Sequence, residues 1–410
     1  MRHRIFHAEG HLIDSRIVSD ILNTVLREQG DYRIIRFDVG KTPAETSRME
    51  LEVEGRDTQH LQHIADLLTQ LGVFERSVPS AVLETADADR HAPTHFYSTT
   101  NHRTEVFFRG RWHEVIHQRM DAVLVLKEQP DRFVCTKLRD LKRGDKVVCG
   151  SDSVRVYPTA AAVRRDEFSF MSNEVSSERS DHVAVDRAAR ALMNIKQKNG
   201  KAVVVCGPVV IHTGAGNDLG DLIKRGYIHG FLGGNAAAVH DLEVQFFNTS
   251  LGVDASTGAV VEHGHNHHMR AINIIYGYGS IEEAVRAGAL KGGLMYDVIT
   301  SGIPWCLAGS IRDDGPLPET VNDMIEAQRQ YAQIIEGADM IIMLSSMLHA
   351  IGTGNMTPSW VKMICVDINP AVVTKLSDRG SGQTIGIVSD VGLFVHALHD
   401  RIGQLEQEDA

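Results

Sequence analysis

The segment VEHGHNHHMRAIN, Val261 to Asn273, carries four imidazoles within six positions: His263, His265, His267 and His268. Neutral imidazole is the commonest metal ligand, and it is also the side chain best matched to proton transfer near neutral pH. A metal needs three or four converging ligands, each held by partners behind it. HxHH offers at most two well-placed ligands on one strand or helix face. No cysteine lies nearby, and neither HExxH nor CxxC occurs in the chain. No metal is expected. A polar cluster lining an active site or touching a phosphate is the preferred reading, with a structural or surface role as the alternative.

Carboxylates come next. LAGSIRDDGPLPET places Arg312, Asp313 and Asp314 directly after the apolar run IPWCLAGS. Adjacent carboxylates there can hold an ammonium group or exchange protons with an amine, although Asp-Gly-Pro is also turn chemistry. Asp367 in CVDIN and Asp390 in GIVSD each close an apolar run. A carboxylate at such a point can accept both hydroxyls of a ribose or cap the following helix, and DINPAVV suits a helix start with Pro370 near its first position. PAVVTKLSDRG carries Lys375, Asp378 and Arg379, by default a surface ion pair. Arg379 could instead clamp a carboxylate through two bonds, and Lys375 could serve as a base.

Two glycine-rich stretches could approach a phosphate. HTGAGNDLGDLI has Gly214, Gly216 and Gly220 in GxGxxxG spacing, not the GxGxxG of dinucleotide folds, so a tight turn stays open as the alternative. FLGGNAAAVHDLE follows an apolar run with Asn235 and small residues. They could admit a ribose or pyrophosphate, or simply let a helix pack closely on a sheet.

The elements that must position these residues are readable from periodicity. From about residue 185, KAVVVCGPVVI, GYIHGFLGGN, IPWCLAGS, ADMIIMLSS, VKMICVDIN and TIGIVSD are apolar runs suited to buried parallel strands. Helical segments such as AQRQYAQIIEGA lie between them. Repeated crossovers imply an α/β half with a doubly wound, mostly parallel, Rossmann-like sheet, whose ligands bind at the carboxyl ends of strands. Upstream, HLIDS, DYRIIRFDVG, SRMELEVEG and SAVLETAD read as strands, and RIVSDILNTVLREQG and TQHLQHIADLLTQLG as helices. That order predicts a small ferredoxin-like α+β domain. Between the two, TEVFFRGRWHEVI, DAVLVLKE, RFVCTKL and DKVVCGSDSVRVYP form a β-rich stretch. The expected domains are 1–104, 105–184 and 185–410.

Composition narrows the partners. At 410 residues the chain can bury two or three domains. Its charge of −11 argues against nucleic acid and anionic membranes, and is compatible with a cationic small molecule. Five scattered cysteines read as reduced core thiols. No apolar run reaches about 18 residues, and MRHRIFHAEGHL has no leader-type apolar core. The cytosol is the expected compartment.

Read as phrases, the chain resembles the archaeal-type ornithine cyclodeaminase family, whose members carry the lysine-oxoglutarate reductase/saccharopine dehydrogenase (LOR/SDH) conserved region at their N-terminus. FYSTTN, FSFMSNEVSSER, GNAAAVHDLE, TSLGVD, GHNHHMRAIN, LAGSIRDDGPLPE, MLHAIGTGNMTP and VDINPAVVTKLSDRGSGQTIGIVSDVG carry that resemblance nearly end to end. More weakly, the C-terminal half resembles the deoxyhypusine-synthase-like NAD-binding fold. Some relatives have an arginine dihydrolase domain ahead of this region, for which the present chain is expected to be too short.

The resemblance implies conversion of L-ornithine to L-proline and ammonia with tightly held NAD, in a cycle that removes a hydride and returns it. It implies NAD contacts at Asn235, Ala236, Asp314, Ser346, Met347, Leu348, His349, Asp367, Asp390 and Val391. Relatives often have Thr at the position of Ser346, so the hydroxyl is kept. Chemical need then nominates Asp241 or Asp313 for the amine, Lys375 as base or carboxylate partner, and His267 as proton shuttle, with His265 and His268 beside it on the substrate side. Alternatives are a net NAD-dependent amino-acid or saccharopine-type dehydrogenase, or a non-catalytic nucleotide- or amino-acid-sensing module. A homo-oligomer is expected.

Overall fold

Alternating burial explains the first module. The computed structural model describes residues 2–10, 12, 17–40, 45–75, 78–127, 131–157, 177–250, 253–254, 267–313, 315–378 and 384–408. In β3 (Ser47–Gly55) every second side chain is buried, including Met49, Leu51 and Val53. This is the period of a strand with one face on a core. It pairs antiparallel with β1 (Arg2–Gly10) and β2 (Asp31–Asp38), and β4 (Val73–Glu75) closes the order β2-β3-β1-β4. Helices α1 (Ile17–Arg27) and α2 (Thr58–Gln70) supply Ile21, Val25, Leu61, Ile64 and Leu68 to the same core. Asp57 caps α2 by accepting from the His60 amide, 2.8 Å away. This is the expected ferredoxin-like order.

Two strand assignments in this region shift. The first strand is the charged run Arg2–Gly10 before HLIDS; of HLIDS, Leu12 is a turn residue and positions 11 and 13–15 lie outside the described residues. SAVLETAD does not supply the last strand. Its core, β5 (Val82–Thr85), pairs with β10 (Lys146–Cys149) in the next sheet. That sheet adds β6 (Arg103–Phe108), β7 (Arg111–Ile116), β8 (Val123–Lys127), β9 (Arg132–Thr136) and β11 (Val154–Tyr157), in the order β11-β6-β7-β9-β8-β10-β5. The middle region is therefore β-rich, as its turn spacing predicts.

The C-terminal region holds a six-stranded parallel sheet. Its strands are β12 (Ala202–Cys206), β13 (Phe231–Gly234), β16 (Trp305–Ala308), β17 (Met340–Leu344), β18 (Lys362–Asp367) and β19 (Thr384–Val388). Central β12 and β17 are buried at every position, while edge strand β19 exposes Ile385 and Val388. Continuous apolar runs have this meaning when helices cover both faces. The covering helices include α3 (Ser177–Gln197), α5 (Gly216–Lys224), α10 (Met324–Ile335), α12 (Pro370–Asp378) and α13 (Val391–Glu408). Five shorter or functional elements complete the region: α4 (Val209–His212), α6 (Asn235–Phe247), α7 (His267–Tyr278), α8 (Ile281–Arg286) and α9 (Leu294–Thr300). Helix α11 (Met347–Met356) and the strand pair β14 (Thr249–Ser250) and β15 (Val253–Asp254) finish the set. The apolar run PVVI, expected to prolong the first strand, is instead α4, because the chain leaves β12 at Gly207 and Pro208.

Counted in chain order, the six strands lie 3-2-1-4-5-6. This is the dinucleotide-binding arrangement, with its topological switch between β12 and β17. Contacts divide the chain into two compact units: Met1–Phe168 with Asn355–Trp360 and Gly380–Gln383, and Ser169–Gly354 with Val361–Arg379 and Thr384–Ala410. The parallel sheet belongs wholly to the second.

Candidate active site

The switch point is built by close approach of two strand ends. The Gly207 amide donates to the Leu344 carbonyl at 2.8 Å, and a Cβ added to Gly207 would sit 1.9 Å from the Ser345 carbonyl oxygen. Only glycine fits there. Ser345 adopts φ +44, the left-handed region a non-glycine residue rarely occupies. Such conformations gather at ligand-binding turns. Next to it, buried Ser346 has its hydroxyl 3.1 Å from His349 Nδ1 in the first turn of α11. The His349 ring lies over Gly234, where a Cβ would be 2.7 Å from Cε1. Burial pushes this imidazole below its ordinary pKa, and the charge of Asp313 pulls it partly back. The two residues therefore share one neighbourhood.

Those of the predicted cofactor residues that are described follow the carboxyl ends of strands, and several are already engaged. Asn235 opens α6 at the end of β13 and is buried. Its Oδ1 accepts from the Leu317 amide and the Thr320 hydroxyl, both at 2.9 Å, and its Nδ2 donates to the Gly315 carbonyl at 3.3 Å. It clamps the loop after β16. Ala236 follows in the first turn of α6. Asp367 ends β18 and accepts from the Asn369 amide at 2.8 Å. Asp390 caps α13 through the Leu393 amide at 3.0 Å, with Val391 as the first helical residue. Asp314, His263, His265 and Arg379 lie outside the described residues. Large apolar side chains stand exposed just beyond four strands: Ile311 and Ile368 in loops, Leu348 and Leu393 in the first turns of α11 and α13.

The catalytic nominees separate. Asp241 lies on α6, fully buried, and both its oxygens accept backbone amides at the start of α9, Leu294 at 2.9 Å and Met295 at 2.8 Å. Burial raises its pKa to about 6 despite these bonds, and nearby Asp297 adds to the rise. It holds α9, each oxygen already accepting one backbone amide. Lys375 stands exposed on α12. Asp313 closes its own turn by accepting the Ser310 amide at 2.7 Å. Gly220 of the glycine-rich stretch faces Asp297 of α9, where a Cβ would meet Oδ2 at 2.1 Å, so that glycine serves helix packing.

His267 is placed differently. It opens α7, is buried, and stacks on Phe247 with centroids 4.7 Å apart. Its Nδ1 is 2.8 Å from the Thr249 hydroxyl, which reaches Glu243 Oε1 at 3.0 Å. Glu243 Oε2 in turn meets His240 Nδ1 at 3.0 Å. His212, edge-on to His240 at 4.6 Å, bonds Ser250 at 2.6 Å. Burial, with His240 adding, pushes the His212 imidazole down to about 4. Glu243, Thr249, His240 and His212 escaped the sequence reading. The i, i+3 pair in HDLE was the available signal, since it puts imidazole and carboxylate on one helix face. Among the described residues no group of three His, Cys, Asp or Glu side chains could hold a metal.

Residues 186–398 match the C-terminal Rossmann-fold region of the arginine dihydrolase ArgZ-like family. Residues 103–185 match its first C-terminal region, and residues 3–102 match the LOR/SDH bifunctional enzyme conserved region. The ornithine cyclodeaminase of Methanocaldococcus jannaschii is 45% identical over 99% of this chain and 97% of its own length. The chain belongs to the archaeal-type ornithine cyclodeaminase family. Within this family it is also similar to the bifunctional arginine dihydrolase/ornithine cyclodeaminase AgrE of Nostoc, 46% identical over 98% of this chain, which spans 58% of AgrE. An AgrE structure solved with ornithine and NAD+ matches at TM-score 0.55, with 44% identity over 99% of this chain and 58% of that one. The apo structure of ArgZ, a cyanobacterial arginine dihydrolase, matches at TM-score 0.85 with 42% identity, covering 99% of this chain and 59% of that chain.

Proposed function

We propose that this chain converts L-ornithine to L-proline and ammonia with bound NAD+. The observation that carries the reading is the 45% identity over 99% of the chain to a relative named ornithine cyclodeaminase. The residues at the sheet edge fit a dinucleotide. Glycines at the ends of β12 and β13 let the Ser345 backbone and the His349 ring close in at the switch point, and the first-turn amides of α11 suit a phosphate. Asp367 can accept ribose hydroxyls, with exposed Ile368 beside it as an apolar wall for a base.

When bound, NAD+ accepts a hydride from the α-carbon of ornithine and returns it to the cyclic imine, which leaves the overall reaction redox-neutral. The protein's share is binding, orientation and proton traffic. Ser346 and His349, bonded to each other, present a polar pair at the switch point. Asp313 offers a carboxylate for a substrate ammonium. Asn235 contributes through the loop it clamps, keeping the segment after β16 against the sheet edge. His267 takes and returns an amine proton.

The experiment is incubation with L-ornithine and NAD+, following proline, ammonia and absorbance of reduced cofactor. Proline and ammonia in equal amounts, without lasting NADH and unaffected by a metal chelator, are expected. Stoichiometric NADH would instead make the chain a net dehydrogenase, a reading favoured only by the LOR/SDH region at residues 3–102.

A further inference from the structure

The polar chain around His267 has a direction that follows from counting donors. An ionised carboxylate only accepts, and a threonine hydroxyl carries one proton. Thr249 therefore commits its proton to Glu243, 3.0 Å away. Its oxygen can then meet His267 Nδ1, at 2.8 Å, only as an acceptor. This places the His267 proton on Nδ1 and its lone pair on Nε2. His240 donates from Nδ1 to the second oxygen of Glu243 at 3.0 Å. Phe247, stacked at 4.7 Å, fixes the plane of the His267 ring.

Stability alone is a poor account of this arrangement. Glu243 is 1% exposed, and burying a carboxylate is weak evidence for stabilisation, since well-packed apolar groups often do as well or better. Placement also matters. Helix α6, which carries Glu243 and His240, starts at the end of β13, and α4, which ends in His212, starts just beyond β12. Both elements leave the ligand-binding edge of the sheet at the switch strand and its neighbour.

We infer that Glu243 and Thr249 are positioning residues for His267: the carboxylate, acting through the hydroxyl, selects the imidazole tautomer that accepts a proton at Nε2 and offsets the charge formed when it does. The inference rests on the ornithine cyclodeaminase reading, in which the substrate's δ-ammonium must become a free amine. In that step one N–H bond of the ammonium breaks, its electron pair stays on nitrogen, and the proton forms a bond to Nε2. His267 becomes an imidazolium that still donates from Nδ1 to Thr249. The same proton is returned to the amine that departs as ammonia, so no outside acid, base or oxidant is consumed. The logic is that of a carboxylate-oriented histidine base, with a hydroxyl inserted between the two.

The test compares Thr249→Val, Thr249→Ser and Glu243→Gln by two independent measurements. The first is the ring ¹⁵N spectrum of His267, assigned with His267→Gln, in holoenzyme without ornithine. The second is steady-state proline formation together with retained NAD. Wild type should show a protonated Nδ1, and Thr249→Val should shift the ring toward the other tautomer. Thr249→Val and Glu243→Gln should lower kcat on the order of 100-fold, with KM and retained NAD within about two-fold. Thr249→Ser should recover most of the rate. Unchanged ring nitrogens in Thr249→Val, wild-type kcat in either variant, or Thr249→Ser falling as far as Thr249→Val would each overturn the inference. If wild type makes no proline at all, the function reading fails, and the tautomer measurement still decides the relay on its own.

Discussion

Asp241 shows how residue type and residue role part company. On chemical need it is a candidate for binding an amine, yet each of its oxygens already holds a backbone amide, of Leu294 or Met295. Asp241→Ala should leave two buried donors unsatisfied and lower stability by about 2 kcal/mol, read as a shift in denaturant midpoint. Its kcat with ornithine, measured well below the unfolding transition, should stay within about three-fold of wild type. A hundred-fold loss of kcat in a stable variant would return Asp241 to the chemistry. His267 went the other way. Its histidine-rich surroundings drew attention to it, but the partner that gives it a defined tautomer is Glu243, twenty-four positions earlier. Hydrogen-bond partners that distant in sequence leave no local pattern.

At the level of elements, the central strands were readable because two-sided burial demands unbroken apolar runs, as in VVVC and MIIML. Short or charged elements were not. In β1 charged and histidine side chains alternate with Phe6 and Ala8, and β4 is three residues long, so tertiary pairing defines both. The tightest joint in the sheet is the pair of turns after β12 and β17. Gly207→Ala would force a Cβ against the Ser345 carbonyl, a backbone atom that cannot swing aside. The variant should lose about 2 kcal/mol or more of stability and bind NADH far more weakly, measured by thermal melting and fluorescence titration. Ser345→Gly should relieve φ +44 and be tolerated or stabilising. A Gly207→Ala variant that retains full NADH affinity would show that the switch point is not where the cofactor sits.

For the whole molecule, half-buried imidazoles set an acid limit. Burial pushes both His102 and His212 down to about 4. Between that value and the ordinary histidine range the unfolded chain holds protons that the folded one does not, so stability falls as pH drops through this window. Asp241, raised to about 6, opposes the trend, since its contribution is lost as pH rises through that value. His229 and His349 are pushed down as well, against Glu75 and Glu319 raised beside Asp241, so lowered imidazoles outnumber raised carboxyls among the described residues and the denaturant midpoint should be lower at pH 5 than at pH 7. An equal or higher midpoint at pH 5 would contradict this. We also propose a homo-oligomer. The edge strand β2 exposes Ile34 and Ile35 along an edge that no other described strand pairs, a surface suited to a second copy. Light scattering that finds a monomer at every working concentration would remove it.

By itself the sequence determined the α/β class, the β-rich middle, the apolar strands and the strand-end positions, because periodicity and burial are local properties of a chain. Resemblance across its phrases pointed to the family. Tertiary structure alone decided the 3-2-1-4-5-6 strand order, the contact of Gly207 with Ser345, and the spending of Asp241 on α9. It alone assembled Glu243, Thr249 and His267. Strand order and long-range hydrogen bonds depend on which distant segments share a sheet or a helix face, and no spacing within a single segment records that choice.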